Sequence, residues 1–378
     1  MPILETVKRK VMGNKPSEDA IKKALSKVVD PDLHVDIVTL GFVKKISIGP
    51  MGKVDLRIQL TTPACPAKDM MGKQIEEEVG AIPGVSGVNV EFTADTTRSR
   101  SKLNPDVMAA LGQVKNIIAV ASGKGGVGKS TSTVNLAYAL ADSGSKVGIL
   151  DADVHGPSVP LMTGAKDPTE VHGKMIVPPE VGGVKIISVG MFNKDGKANI
   201  MRGPMTSQII RQFLTQISWG ELDYLLIDYP PGTGDIQLTL SQMAPLSGAV
   251  LVTTPQEVAL LDVRKAVEMF ASTKVPILGV VETMSYFVCD GCEKRHPIFK
   301  EGGGQKVAEE HGVKLLGSIP MEMGVSECGD SGRPIVSSAP NSASAKAYRE
   351  ASGKVAAQLS ILNSQAGEGL VSFNLDWK

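Results

Sequence analysis

The sequence predicts an α/β fold: a mostly parallel sheet with helices on both faces, preceded by a small α/β domain. Three observations carry this. Six apolar runs recur without polar alternation, at residues 117–122, 146–151, 184–190, 224–229, 248–254 and 277–283. Strands that are apolar on both faces, with room between them for crossover helices, belong to a parallel sheet covered on both sides. A glycine-rich stretch lies between the first of these runs and a helical pattern. Finally, the first ninety or so residues carry their own β/α pattern, and a polar stretch separates it from the rest.

At 378 residues the chain is too long for one average domain, and two is the working number. In the first, Ala20, Ile21, Ala24, Leu25 and Val28 recur at helix spacing. VDLRIQL at 54–60 alternates as a strand, Met70 to Val79 returns to helix spacing, and 84–92 reads as strand again. The segment 93–106 is almost free of apolar residues and carries Arg98, Arg100 and Lys102, the composition of a solvated linker. The expected division is therefore a small domain over 1–93, a linker over 94–114 and the large domain over 115–378. The last stretch, 360–378, reads as a loosely held tail in which Phe373 and Trp377 are the residues able to dock.

Lysines and arginines number 40, as do aspartates and glutamates, so net charge offers no reason to expect nucleic acid or an anionic membrane as partner. The charged N-terminus lacks the apolar core of a signal peptide, and no apolar run reaches the roughly 18 residues of a membrane span. A cytoplasmic location is expected. Four cysteines in so long a chain, two of them spaced Cys-x-x-Cys, fit metal or redox chemistry in a reducing compartment better than a disulfide framework.

Residues 123–130, GKGGVGKS, match G-x-x-x-x-G-K-[ST] in the required context, after an apolar strand and before a helix bearing Val134, Ala137, Leu140 and Ala141. Gly123, Gly125, Gly126 and Gly128 let the backbone N–H groups converge on phosphate oxygens. Lys129 reaches the terminal phosphates and Ser130 coordinates Mg²⁺. The nucleotide-binding set is completed by Lys124, Val127 and Thr131. Asp151, Asp153 and Asp228 stand at strand ends facing this site. Asp228 is expected to hold the Mg²⁺ hydration shell, and Asp153 to orient attacking water, with Asp151 the second choice for that role. Strand-end carboxylates also cap turns, so a structural role stays open for Asp151. Gly232, Thr233, Gly234 and Asp235 form an expected switch that senses the γ-phosphate.

Cys289 and Cys292 provide two thiolates, where a closed zinc site or a cubane cluster wants four ligands. A two-fold dimer doubles the count, which points to a bridging [4Fe–4S] cluster. His296 makes a Cys-Cys-His zinc site the rival, and a redox or inert pair is the third reading. Cys65, flanked by Pro63 and Pro66, lies at the turn before a helix, whose N-terminus lowers a thiol pKa; as a lone cysteine it is equally read as a small apolar residue. Cys328 is expected to be structural, and His34 and His155 to be polar loop residues.

Lys124, one residue into the loop, resembles the signature lysine of the deviant-Walker-A class that includes MinD, ParA and nitrogenase iron protein. The resemblance implies a nucleotide-sandwich homodimer in which Lys124 reaches the partner's transferring phosphate. With DADVHGPSVP (151–160), IDYPPGTGD (227–235), TTPQEVALLDVRKAVEMF (253–270) and MSYFVCDGC (284–292) in order, residues 117–340 resemble the Mrp/ApbC iron–sulfur cluster carrier ATPases. DPDLHVDIVTLGFV (30–43) and TTPACP (61–66) resemble the small domain of iron–sulfur assembly factors, which implies a transient cluster or partner contact as the other reading of Cys65. The resemblance implies ATP and Mg²⁺ as ligands, a [4Fe–4S] cluster carried on Cys289 and Cys292 of two subunits, and scaffold and apo-protein partners. The sequence departs from that family at Thr283, where an asparagine that reads the base is expected; ATP is still favoured over GTP. The rival functions are a MinD/ParA-type positioning ATPase, an ATP-driven electron donor and a zinc-stabilised regulatory NTPase.

Overall fold

The computed structural model describes residues 16–31, 35–60, 64–65, 67–94, 105–154, 156–168, 171–172, 175–192, 203–289, 291–292 and 294–367, with the side chains of 172, 203–207 and 365–367 left out. His34, His155, Pro63, Pro66, Arg98, Arg100, Lys102, Phe373 and Trp377 lie outside the described residues. The chain divides into two compact units, 1–96 with 360–378, and 97–359.

In the small unit α1 (Glu18–Leu25) starts at Ser17, whose hydroxyl accepts the Ala20 N–H at 3.1 Å, as an N-cap serine does. Strand β1 (Val43–Ile48) pairs antiparallel with β2 (Lys53–Leu60), and β2 pairs parallel with β3 (Gly87–Ala94) after the crossover helix α2 (Lys68–Gly80). Val54, Leu56, Ile58 and Leu60 alternate into a core with Ile21, Leu25, Met71, Ile75 and Val79. The sequence reading missed β1 for a physical reason. Its VKKISI places two lysines together, and the register shifts between Val43 and Lys45, so the period-two pattern is broken.

The large unit begins with α3 (Pro105–Leu111), inside the stretch read as linker; Val107, Ala110 and Leu111 fall on one helical face and are buried. Strand β4 (Val114–Ala121) leads through the glycine loop into α4 (Lys129–Asp142), then β5 (Val147–Asp151) and the short α5 (Val159–Thr163). Two small hairpin strands, β6 (Val171–His172) and β7 (Met175–Ile176), precede β8 (Glu180–Val181), β9 (Val184–Ser188) and α6 (Gly203–Thr215). Next come β10 (Leu222–Asp228), α7 (Asp235–Met243), β11 (Gly248–Thr253), α8 (Glu257–Ser272) and β12 (Ile277–Glu282). A two-stranded ribbon, β13 (Phe287–Val288) and β14 (Arg295–His296), is followed by α9 (Gly303–Glu310), β15 (Leu315–Ser318), α10 (Met323–Asp330), α11 (Ile335–Ser338) and α12 (Ala343–Gly367).

The main sheet has eight strands in the order β15-β12-β11-β4-β10-β5-β9-β8. All neighbours run parallel except the edge pair β8 and β9. The mostly parallel sheet read from the apolar runs is therefore present. Edge strand β15 escaped that reading because LLGS is short and half-buried, and α12 because alanines and serines give it only a weak apolar stripe. The helix continues to Gly367, so the first part of the expected tail is helical. Chain order reverses across β4, and the carboxyl ends of the strands there open on a crevice. Among the described residues no helix is long and apolar enough to cross a membrane.

Candidate nucleotide and metal site

The loop after β4 is shaped by close packing and by positive φ. A Cβ on Gly123 would lie 2.1 Å from the carbonyl carbon of Asp262 in α8, and Gly128, which caps α4, has φ 78°. Only glycine meets both demands without strain. The helix then starts with Lys129 and Ser130 at its first turn, where its unpaired N–H groups and dipole favour an anion.

Lys129 is buried, and its ammonium lies 2.8 Å from Asp228 Oδ2 and 3.3 Å from Asp153 Oδ2. The hydroxyls of Ser130 and Thr133 donate to the two Asp228 oxygens at 2.6 and 2.7 Å. Asp228 is thus held at both oxygens beneath the loop, and Thr133, one helical turn beyond Lys129, is a site residue the sequence reading missed. Its signal was the fourth position after the lysine, which shares a helix face with it. Lys124 is half-exposed, and among the described residues its ammonium has no carboxylate partner.

Asp151 and Asp153 part ways. Asp151 pairs in register with Asp228 on the neighbouring strand and is fully buried. Burial first, and the Asp228 carboxylate second, push its carboxyl well above the ordinary range. Its oxygens accept from Ser188 Oγ at 2.8 Å and from the N–H groups of Asp153 and Val159 at 3.1 and 3.4 Å. These bonds make Asp151 the organiser of the loop from 151 to 159, while Asp153 is the carboxylate turned to Lys129.

The expected switch begins at Gly232, whose N–H donates to the Ser122 carbonyl at 3.0 Å. Gln237, another residue not singled out beforehand, donates to the carbonyls of Pro230 and Pro231 at 3.2 and 2.7 Å and so clamps this turn from α7. Thr283 does not act as the expected asparagine would. Its hydroxyl donates to Val127 O at 2.6 Å and Thr253 O at 3.0 Å, so it latches the phosphate loop to two strands instead of presenting a donor to a base. Beside it opens a cavity of about 460 Å³, lined mostly by apolar side chains including Leu161, Met162, Met284, Met321 and Val325 and reaching Gly128 and Thr131. That size and lining fit a planar ring held by packing.

From Thr283 the chain passes through Met284, at φ 52°, into the ribbon that carries the cysteines. Cys289 is half-buried and Cys292 and His296 are exposed, and the ligand atoms of all three lie within 4.8 Å of one another. Cys65 is half-buried and packs against the core of the small unit, and Cys328 lies half-buried on α10 and forms no disulfide among the described residues.

With this geometry in place, comparison with known proteins is direct. Residues 113–356 match the family of NUBPL iron-transfer P-loop NTPases. The chain belongs to that family. The small unit of this iron-transfer NTPase matches a second family, the iron–sulfur cluster assembly proteins, over residues 18–92. An iron-sulfur cluster carrier protein of Synechocystis sp. is 46% identical over 349 residues, covering 91% of this chain and 98% of that one. A chloroplastic Fe-S cluster assembly factor of Arabidopsis thaliana, HCF101, is 49% identical over 338 residues, 88% of this chain and 62% of the relative. Among solved structures, a nucleotide-binding protein of Archaeoglobus fulgidus in complex with ADP superposes with TM-score 0.54 at 41% identity, covering 60% of this chain and 90% of that one.

Proposed function

We propose that the chain is an ATP-dependent iron–sulfur cluster carrier of the cytoplasm. It holds a [4Fe–4S] cluster on Cys289 and Cys292 of two copies and hands it from scaffold proteins to apo-protein acceptors, without a nucleic-acid or membrane partner. One observation carries the reading: the cysteine pair follows, on one segment, the residue that latches the phosphate loop. Thr283 grips the phosphate loop through Val127 O, and Cys289 follows it in the same segment. The names of the Synechocystis and Arabidopsis relatives support the cargo, and the ADP complex of the Archaeoglobus protein supports the nucleotide.

The Lys129 charge is balanced by Asp228 and Asp153. A polyphosphate brings four or so negative charges to the loop N–H groups and draws the ammonium toward its terminal oxygens. Ser130 would hold Mg²⁺ and Asp228 would reach its hydration shell, and the ion would supply positive charge against the phosphates and Asp228. Asp153, relieved of Lys129, is placed to accept from the attacking water. Lys124, whose ammonium has no carboxylate partner among the described residues, adds positive charge at the phosphate across a dimer. The apolar cavity beside Thr283 seats the base by packing, with ATP as the expected nucleotide.

Two thiolates per chain leave a cubane cluster two short, and a two-fold axis provides the others. Loss of the γ-phosphate frees the turn from Gly232 to Asp235, and through it nucleotide hydrolysis gates the dimer geometry. The small unit's match to assembly proteins supports a part in receiving or passing the cluster.

The test is anaerobic reconstitution with iron and sulfide on wild type and Cys289→Ala, followed by metal counts and delivery to an apo-acceptor. The expected result is about four irons per two chains in the wild type, lost in the variant, with nucleotide binding retained. Zinc as the sole bound metal, or iron retained by Cys289→Ala, would overturn the reading.

A further inference from the structure

The cysteine ribbon has a third donor built into its register. Phe287 pairs with His296 and Val288 with Arg295 in antiparallel alignment, and the Cys289 N–H donates to the Lys294 carbonyl at 3.0 Å. In such a ribbon directly opposed residues share a face, and so do residues two apart on one strand. Phe287, Cys289, Lys294 and His296 therefore lie on one face, with Cys289 and His296 as diagonal neighbours. On the other face the Arg295 guanidinium sits 4.3 Å from the centre of the Tyr286 ring. That stacking on a buried ring anchors β14 and keeps His296 turned toward the cysteines. The ligand atoms of Cys289, Cys292 and His296 all fall within 4.8 Å of one another.

We infer that His296 is a metal ligand, and that one chain by itself binds a single divalent ion through Cys289, Cys292 and His296 with a fourth position open. The inference rests on the cysteine pair being the metal site proposed above, but not on the cluster or on the dimer. Metal–sulfur bonds of about 2.3 Å and metal–nitrogen bonds of about 2.0–2.1 Å place the donors of a tetrahedral ion roughly 3.5–3.8 Å apart. The trio closes onto one ion with small side-chain adjustments. Two thiolates and an imidazole select borderline ions such as Fe²⁺, Co²⁺ and Zn²⁺ over Mg²⁺ or Ca²⁺. Three protein donors leave room for water or for a donor from another protein, the arrangement of an exchangeable site. An acceptor thiolate entering the open position forms one metal–sulfur bond, the imidazole leaves with its electron pair, and the metal keeps its oxidation state. Because Zn²⁺ binds such ligands more tightly than Fe²⁺, it competes with iron for this site.

The experiment is anaerobic titration of the reduced full-length chain with Co²⁺, followed by its ligand-field bands and by sulfur-to-cobalt charge transfer. Wild type should take up one Co²⁺ per chain with the intense bands of a tetrahedral site. His296→Ala should weaken binding by at least the roughly 10–100-fold that loss of an outer-sphere partner alone costs, and should lose the tetrahedral intensity. His296→Cys should restore affinity and add charge-transfer intensity. His296→Ala with wild-type affinity and bands overturns the inference while leaving the cysteine site standing. Charge transfer that persists in both Cys289→Ala and Cys292→Ala overturns the cysteine reading itself, and the inference with it. His296 is exposed, so its replacement leaves the core of the large unit in place.

Discussion

The phosphate site and the cysteine ribbon belong to the same unit but are built in opposite ways. Lys129, Asp153 and Asp228 are buried at the carboxyl ends of sheet strands and pair with one another. Cys292 and His296 are exposed on a ribbon whose strands are two residues long. Charges that act on a transferring phosphate gain strength from exclusion of water and from a geometry set in advance. A donor set that must surrender its metal to another protein needs access and a weakly constrained backbone instead. On the proposed function, the contrast separates a fixed engine from an open handover point, with the segment from Thr283 to Cys289 between them.

The strongest way to break this comparison is Lys129→Ala. It removes the charge that both carboxylates face, and hydrolysis should fall by at least about 100-fold, while iron uptake at the cysteines stays at the wild-type level. Iron uptake that fell with hydrolysis would mean that the two regions are one cooperative site. Thr283→Val keeps the side-chain shape and deletes the hydroxyl that joins Val127 O to Thr253 O. A loss of about 1–2 kcal/mol of stability, and roughly tenfold weaker nucleotide binding, is expected from denaturant melts and nucleotide titration. Unchanged binding would show that the latch does not position the loop.

The smallest effect sharpens the contrast through pH. In the fold the Asp151 carboxyl holds its proton above the ordinary carboxylate value, so the native state binds a proton that the unfolded chain releases near pH 4. Its contribution is greatest below that pH and declines as pH rises toward the raised folded value. Asp151→Asn, which keeps an acceptor for Ser188, should flatten this decline by about 1 kcal/mol or more between pH 5 and 7 in urea melts. An equal slope in the variant would place the proton elsewhere. Substitutions at the exposed ribbon should leave the same slope untouched.

Much of the fold could be read along the chain because its signals are contiguous. The six apolar runs became β4, β5, β9, β10, β11 and β12, and GKGGVGKS turned up between a strand and a helix. What could not be read was weak in local pattern. The bulged β1 with its adjacent lysines, the short β15 and the alanine-rich α12 depend on packing that no window of sequence reports. The role of Thr283 could not be read for a related reason: a missing amide was visible in sequence, but not the two carbonyls that accept from its hydroxyl.

By itself, the sequence determined the parallel-sheet architecture, the phosphate loop and the pairing of two thiols, since each rests on residues close enough along the chain to act through backbone geometry or spacing. Only the tertiary structure decided which of two neighbouring aspartates faces Lys129 and that Thr133 and Gln237 serve the site. Those outcomes depend on strand register and burial, which bring together groups that are far apart in the chain and set the local dielectric in which their charges act.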